Sequence, residues 1–262
     1  MKIIASDLDG TLFGPDHELA QRTVEALRAA RRAGWMIIAA TGRNPISAME
    51  RLRRHDVIDM LIGSNGSLVH DPHTDVTVHR FPIADDHVAS VFDALDAGLA
   101  GLSFCWEMTE RSSWDPGFEA IARQHEDLLM FGAGRRPKPP TLVTKIMASH
   151  PDASGEELAA QIEPFLPGDL SLGCSGVSFV EITGAGVNKA HALAHVIEPL
   201  GASRADVVAF GDNHNDVAML QWAGRGVAVG NAVEAAQAAA DEVIGHHRDH
   251  SVAEYIERLL LE

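Results

Sequence analysis

Two carboxylates two positions apart, Asp7 and Asp9, close the apolar run Ile3 to Ala5 and are followed at once by Gly10 and Thr11. Alternate side chains of a strand share a face, so Asp7 and Asp9 start on the same side. Gly10 lets the chain turn sharply at the strand's carboxyl end, which is where open α/β sheets bind ligands. Paired carboxylates repel, and a metal ion or a shared proton relieves the cost. The order Asp-x-Asp-Gly-Thr arises by chance in a chain of this length on the order of 10⁻³ of the time. Its place directly after the first strand favours chemistry over a plain polar turn.

Three further loops follow short apolar runs. Thr41-Gly42-Arg43 follows Trp35 to Ala40, Ser64-Asn65-Gly66 follows Met60 to Ile62, and Gly211-Asp212-Asn213-His214-Asn215-Asp216 follows Val207 to Phe210. In a doubly wound sheet, loops at the carboxyl ends of parallel strands converge on one crevice. Acidic side chains from two loops, with oxygen ligands only, suit Mg²⁺ better than zinc. A cation would keep Asp7 ionised, and Asp9 could then hold a proton, so that the two carboxylates take different roles. Thr41 and nearby backbone N–H groups can hydrogen-bond a phosphoryl oxygen, and Lys189 brings a positive charge to the same oxygens.

The elements that must position these groups alternate as strand and helix, the signature of an α/β fold with a mostly parallel sheet. A helix is expected from Asp16 or His17, with Leu19, Val24 and Leu27 apolar and Gly34 as its stop. Asn44-Pro45 caps a second helix carrying Ile46, Met49 and Leu52. Leu68 to Val69 and Val76 to Val78 flank Asp71-Pro72-His73 as a hairpin. From Phe81-Pro82 to Gly186 the character changes. Helices are expected at Asp85 to Ala97, Pro116 to Gln124 and Ser154 to Phe165. Strands are expected at Leu102 to Trp106, Leu142 to Ala148, Leu170 to Cys174 and Val177 to Ile182, the last two joined at Ser175-Gly176. This order predicts an α+β domain over residues 82–186 inserted into a core made of residues 1–81 and 187–262. Beyond it come the Lys189 helix, the Val207 strand, a strand at Val227 to Val229 leading into Gly230-Asn231-Ala232, and helices over Ala232 to Ala240 and Val252 to Leu261.

Composition narrows the partners. The chain has 262 residues, a formal net charge of −16 and 46% hydrophobic residues, as in an ordinary globular protein with a sizeable core. Such an acidic balance argues against nucleic acid or an anionic membrane as the main partner, and an anionic substrate then needs a local positive site. Cys105 and Cys174 show no metal-ligand spacing and read as free thiols of a reducing compartment. Asp7 and Asp9 interrupt any signal-like stretch, and no run approaches a membrane span, so a cytoplasmic location is expected.

Asp7-Leu8-Asp9-Gly10-Thr11, Thr41-Gly42-Arg43, Lys189 and Gly211-Asp212-x-x-Asn215-Asp216 resemble the four ordered motifs of the haloacid dehalogenase (HAD) superfamily. Ser64-Asn65-Gly66 and Gly230-Asn231-Ala232 resemble its Cof-type phosphatase branch, in which a large α+β cap of the C2B type lies where the insert falls here. The resemblance implies a HAD-like Rossmannoid core and a Mg²⁺-dependent phosphatase of small phosphorylated metabolites, sugar phosphates among them. It further implies that Asp7 attacks phosphorus to form an aspartyl-phosphate, and that Asp9 protonates the leaving alcohol and then activates water. Asp7, the backbone carbonyl of Asp9 and Asp212 would hold Mg²⁺ with Asp216 in support, while Thr41, Gly42, Arg43, Asn65, Lys189 and Asn215 would face the substrate. Ala190, Val229 and His250 depart from the family's usual residues, the last standing where an Asp-Gly pair is common. A phosphomutase and a phospho-accepting signalling switch are the rival readings. Asp9 speaks against the switch, because an acid–base group serves turnover and a lasting phosphoryl mark does not need one.

Other features take the plainer reading. Arg43 is evenly balanced between supporting the Thr41 loop and touching substrate. Gly184-Ala185-Gly186 reads as a hinge, His246, His247 and His250 as a solvated loop, Arg135 to Pro140 as an exposed extended segment, and Trp106 and Trp114 as core.

Overall fold

The structure, a computed structural model, describes residues 1–123, 140–168, 170–174 and 178–262. The chain divides into two compact units, one of Met1–His79 with Asn188–Glu262 and one of Arg80–Val187.

The first unit is built on an eight-stranded sheet. Its strands are β1 (Ile3–Ser6), β2 (Met36–Ala40), β3 (Met60–Gly63), β4 (Leu68–Asp71), β5 (Val76–Arg80, ending one residue into the second unit), β11 (Val207–Gly211), β12 (Arg225–Ala228) and β13 (Glu242–Val243). The order is β13-β12-β11-β1-β2-β3-β4-β5, parallel from β13 to β3, with β4 antiparallel to β3. Strand β1 lies between β11 and β2, with Ser6 level with Phe210 and Ala39. Its Ile3, Ile4 and Ala5 are wholly buried, as an apolar run without alternation requires of a sheet covered on both faces. Each Ile contributes about 1.5–3 kcal/mol by burial, which holds the strand ends, and hence the loops after them, in fixed register.

Helices α1 (Gln21–Arg32), α2 (Pro45–Leu52), α6 (Lys189–Ile197), α7 (Val217–Trp222), α8 (Glu234–Ala239) and α9 (Ser251–Leu259) complete this unit. Asn44 caps α2 as expected, its side chain accepting from Ile46 N with Pro45 in the first turn, but Ile46 is exposed. Helix α1 starts later than Asp16 or His17. Phe13 and Leu19 pair as an antiparallel bridge, and His17 adopts φ +57° in the turn between them, so Leu19 is buried by the bridge rather than by the helix. Gly34 ends α1 with φ +84°. The two-residue β13 has no counterpart in the sequence reading, because both of its residues are exposed and carry no pattern.

The second unit contains α3 (Asp85–Gly98), β6 (Ser103–Glu107), β7 (Ser112–Trp114), α4 (Glu119–Ala122), β8 (Lys145–Ser149), α5 (Gly155–Ile162), β9 (Ser171–Gly173) and β10 (Val180–Thr183). Its sheet runs β7-β6-β8-β10-β9 and is antiparallel throughout. Phe104, Trp106, Ile146, Ala148, Val180 and Ile182 share one core with Val88, Val91, Leu95, Leu158 and Ile162 of α3 and α5. Cys105, Met147 and Phe179 alternate with them and pack with Trp114, Phe118 and Ala122 in a second core. Both tryptophans are therefore core residues. Glu107, Lys145 and Glu181 continue the second face, and the buried ammonium of Lys145 lies 2.8 Å from Glu181 and 3.5 Å from Glu107.

Ser154 and Glu157 form a capping box at the start of α5. Strand β8 begins at Lys145 rather than Leu142, since Leu142 sits at φ +57° with its side chain in solvent. Strand β7 is a further strand, too short to show a period. Helix α4 is shorter than Pro116 to Gln124, its described part being one turn. Gln124, the loop from Gly132 to Pro139 with Arg135, Arg136 and Lys138, and the Ser175-Gly176 turn with Val177 lie outside the described residues. Both cysteines are free. Among the described residues no helix is long and apolar enough to cross a membrane.

Candidate active site

Each of the four loops leaves the carboxyl end of a parallel strand in the first unit. Asp7 follows β1 directly and donates its N–H to Phe210 O at 2.9 Å, which ties it to the neighbouring β11. Gly10 has φ +79°, and a Cβ there would collide with Asp212 Oδ2 and lie 3.0 Å from Asp212 Cγ. The turn therefore needs glycine on two counts, backbone angle and close approach. Thr11 donates to Asp212 Oδ1 at 2.8 Å, joining the first loop to the last.

Lys189 is the hub. It is the first residue of α6, whose N-cap Asn188 accepts from His191 N. Its ammonium is fully buried and donates to Asp7 Oδ1 and Asp216 Oδ1, each at 2.6 Å. Asp216 is also wholly buried, and its Oδ2 accepts from Asp212 N and Asn213 N at 3.0 Å each. Asp216 thus fixes the backbone of the loop that presents Asp212. Asp7, Asp212 and Asp216 each offer a carboxylate oxygen within 4.8 Å of the others, the one such group among the described residues.

The charges in this cluster do not balance. Three carboxylates face one ammonium. Burial pushes the Asp7 carboxyl well above its ordinary value of 3.8, and Asp216, Asp212 and Asp9 push the same way against the pull of Lys189. Asp212 is raised to about 6, by burial first and by Asp216 next. For Lys189 burial acts downward, but Asp216 and Asp7 outweigh it and hold the ammonium charged.

Asp9 turns to different partners. Arg43 grips it through Nε to Oδ2 and Nη2 to Oδ1, both at 2.6 Å, and His17 Nδ1 lies 2.9 Å from Oδ1. Burial would raise its carboxyl, yet the Arg43 hydrogen bonds and charge, with His17, hold it below the ordinary value. The expected proton on Asp9 is therefore absent in this arrangement, and its side chain stands outside the three-carboxylate group. Arg43 is placed on Asp9, a partner that sequence reasoning did not connect with it.

Thr41, Gly42, Asn65 and Asn215 form an adjoining patch. Asn65 N donates to Thr41 O at 3.1 Å, and Thr41 Oγ1 accepts from Arg43 N at 3.1 Å. Asn215 Nδ2 donates to Asn65 Oδ1 at 2.9 Å, and a Cβ on Gly42 would lie 3.0 Å from that same oxygen. Ser64, Asn65 and Gly66 all have positive φ, which brings Asn65 inward, and a Cβ on Gly66 would strike Asn188 O. Asn215 Oδ1 is buried without a hydrogen-bond partner among the described residues.

Two contributors lacked an individual role in the sequence reading. Thr11 orients Asp212. Asn231 donates to Gly10 O at 2.9 Å and accepts from His247 N at 3.1 Å, bracing the first loop. Both lie inside motifs already singled out, so the signal was their position in the motif. His250, at φ +60°, keeps the left-handed backbone that glycine would adopt freely there.

A haloacid dehalogenase-like hydrolase family model matches residues 4–256. The pyridoxal phosphate phosphatase YbhA of Escherichia coli (strain K12) is 30% identical over 279 residues, covering 97% of each chain. The 5-amino-6-(5-phospho-D-ribitylamino)uracil phosphatase YcsE of Bacillus subtilis (strain 168) is 28% identical over 263 residues, covering 100% of this chain and 96% of that one. A haloacid dehalogenase-like hydrolase from Bacteroides thetaiotaomicron superposes with a TM-score of 0.81 at 24% identity, over 98% of this chain and 99% of its own, which establishes the shared fold. With its four loops at the carboxyl ends of a doubly wound sheet and a family match over nearly its whole length, this chain belongs to the haloacid dehalogenase-like hydrolases.

Proposed function

We propose that the chain is a Mg²⁺-dependent phosphatase of small phosphorylated metabolites that works through an aspartyl-phosphate on Asp7. The observation that carries this reading is the Lys189 ammonium held 2.6 Å from both Asp7 and Asp216, with Asp212 beside them. Three carboxylates around one lysine leave a net negative centre of oxygen donors only, and burial first, with the neighbouring carboxylates adding to it against the pull of Lys189, raises Asp7 and Asp212. That donor set fits Mg²⁺. Asp7 and Asp212 would hold the ion with the Asp9 carbonyl, while Asp216, both of whose oxygens are engaged, supports them. The ion supplies charge neutralisation at the transferring phosphoryl group.

The chain's own residues do the rest. Asp7 Oδ1, oriented by Lys189, is the nucleophile. Lys189 stays protonated and offsets charge on the phosphoryl oxygens as they approach. Thr41, Gly42 and the Asn65–Asn215 pair line the adjoining patch and orient the phosphoryl group, with the unpaired Asn215 Oδ1 available to a donor from the incoming molecule. Asp9 must exchange its Arg43 pairing for a proton before it can protonate the leaving oxygen, so Arg43 sets the carboxylate's resting state. After the alcohol departs, the ionised Asp9 takes a proton from the attacking water. Relatives named for pyridoxal phosphate and for a ribitylaminouracil phosphate support small phosphorylated metabolites as the substrate class. Residues 82–186 are assigned as a C2B cap and the location as cytoplasmic.

The test is hydrolysis of p-nitrophenyl phosphate with and without Mg²⁺. The Asp7→Asn protein is expected to stay folded and lose turnover. Retained activity in that variant refutes the nucleophile assignment, and full activity in excess chelator refutes the metal.

A further inference from the structure

A cavity of about 510 Å³ lies in the first unit, lined by the first turns of α1 and α9, the segment after the Asp7–Asp9 turn and the loop before α9. Its size falls within the range of about 300–1,000 Å³ usual for small-molecule sites. None of the three carboxylates around Lys189 lines it, and the phosphatase reading gives it no role.

Three unspent polar features line this cavity. Helix α9 has no side-chain cap from His250, and the N–H groups of Val252 and Ala253 in its first turn have no acceptor among the described residues. Both residues line the cavity. Thr23 lines it as well and is only 4% exposed, yet its hydroxyl has no hydrogen-bond partner among the described residues. Buried hydroxyls ordinarily find a partner, so this one points to a molecule that the cavity takes in. The exposed Arg248 completes the set, its guanidinium in no hydrogen bond or ion pair among the described residues.

The charge of these features has one sign. A helix start carries about half a positive charge and free N–H groups, which suit a carboxylate or phosphate. A guanidinium adds a full charge and two parallel donors for the same oxygens. The cavity also carries two carboxylates, but both are engaged: Asp16 Oδ1 accepts from Glu18 N at 3.2 Å, and Glu18 is paired with Arg54. Leu12 and Leu19, both buried, give the cavity an apolar part.

We propose that this cavity binds a small organic anion, a carboxylate or a phosphate on an apolar body, separately from the carboxylate centre. The anionic group meets the Val252 and Ala253 N–H groups, the Thr23 hydroxyl and Arg248, and the apolar body lies against Leu12 and Leu19. Thr11 lines the cavity while donating to Asp212, so an occupant bears on the loop that presents Asp7 and Asp9.

The experiment is a titration of the ¹⁵N-labelled full chain with benzoate and, separately, with phenylphosphonate, at constant ionic strength, read from backbone amide shifts. Binding at the carboxylate centre would instead move the Thr41 and Gly42 amides, so the two sites are told apart. Saturable shifts of the Val252 and Ala253 amides are expected, with affinity falling at least tenfold in Arg248→Gln and in Thr23→Val and unchanged in Arg22→Gln. Circular dichroism verifies the fold of each variant, and the exposed Arg248 keeps the test open should Thr23→Val fail to fold. Shifts with benzoate alone identify a carboxylate site, with phenylphosphonate alone a phosphate site, and with both a site for either group. No saturable shift at Val252 and Ala253 with either compound overturns the proposal. So does unaltered affinity in folded Arg248→Gln or Thr23→Val, or an equal loss in Arg22→Gln.

Discussion

Replacing Lys189 with methionine removes the buried ammonium from the group of Asp7, Asp212 and Asp216 while keeping most of its volume. Two charge-assisted hydrogen bonds of 2.6 Å are lost, and Asp7 and Asp216 are left facing each other without a counter-ion. Removing one partner of a buried ion pair costs about 3–5 kcal/mol. Part of that cost is avoidable, because Asp7 can take up a proton. Its carboxyl is already raised above 3.8, and loss of Lys189 raises it further. The folded variant then binds a proton that the unfolded chain lacks at pH values above 3.8. Its stability relative to the parent therefore falls as pH rises, by about 1.4 kcal/mol for each further unit by which Asp7 is lifted within the measured range. Urea unfolding of both proteins at pH 5 and pH 8 in chelator measures this directly. A deficit of about 3 kcal/mol or more at pH 8, equivalent to about 6–12 °C in melting temperature, should shrink markedly at pH 5, and turnover should be lost at both. A deficit below about 1 kcal/mol at pH 8, or one equal at both pH values, refutes the idea that Lys189 neutralises a charged pair.

Gly10→Ala should cost about 1–2 kcal/mol in stability from its left-handed backbone and should lower kcat, because the new methyl displaces the Asp212 carboxylate; normal kcat would show that Asp212 does not need its present position. Burial and the neighbouring Asp216 push the Asp212 carboxyl up to about 6, so protons compete with the ion at low pH. The rise in melting temperature on adding Mg²⁺ should therefore be larger at pH 7.5 than at pH 5.5, and an equal rise would remove Asp212 from the ligand set. In Arg43→Gln, loss of the guanidinium lets the Asp9 carboxyl rise, so the limb of the pH–rate profile set by Asp9 should move to higher pH; an unmoved limb separates Arg43 from Asp9 during turnover.

How much of the site was legible depended on whether a residue's job is local. Asp7, Thr41, Asn65 and Asp212 each follow a buried apolar run, and a strand end is readable from a few neighbouring residues. Their convergence followed from parallel pairing alone. The Arg43–Asp9 pair was not legible, because it depends on which way two flexible side chains turn across 34 positions of sequence. Arg43 could equally have faced substrate, and nothing in Thr41-Gly42-Arg43 says otherwise. In the first unit, misplacement of the α1 start has a similar origin. Asp16 is a good capping residue, but the Phe13–Leu19 bridge claims the segment first. In the second unit, β7 is only three residues long and leaves no period to detect.

The contact between Gly66 and the start of α6 has a consequence for how this chain can drift over generations. Any side chain at position 66 would strike the Asn188 carbonyl, one residue before Lys189. A substitution there reaches the ammonium's foundation without touching the ammonium itself. Variation at 66 is thus answerable to a backbone position more than a hundred residues downstream, and a lineage that lost this glycine would have to rebuild the seat of its lysine before it could tolerate the change.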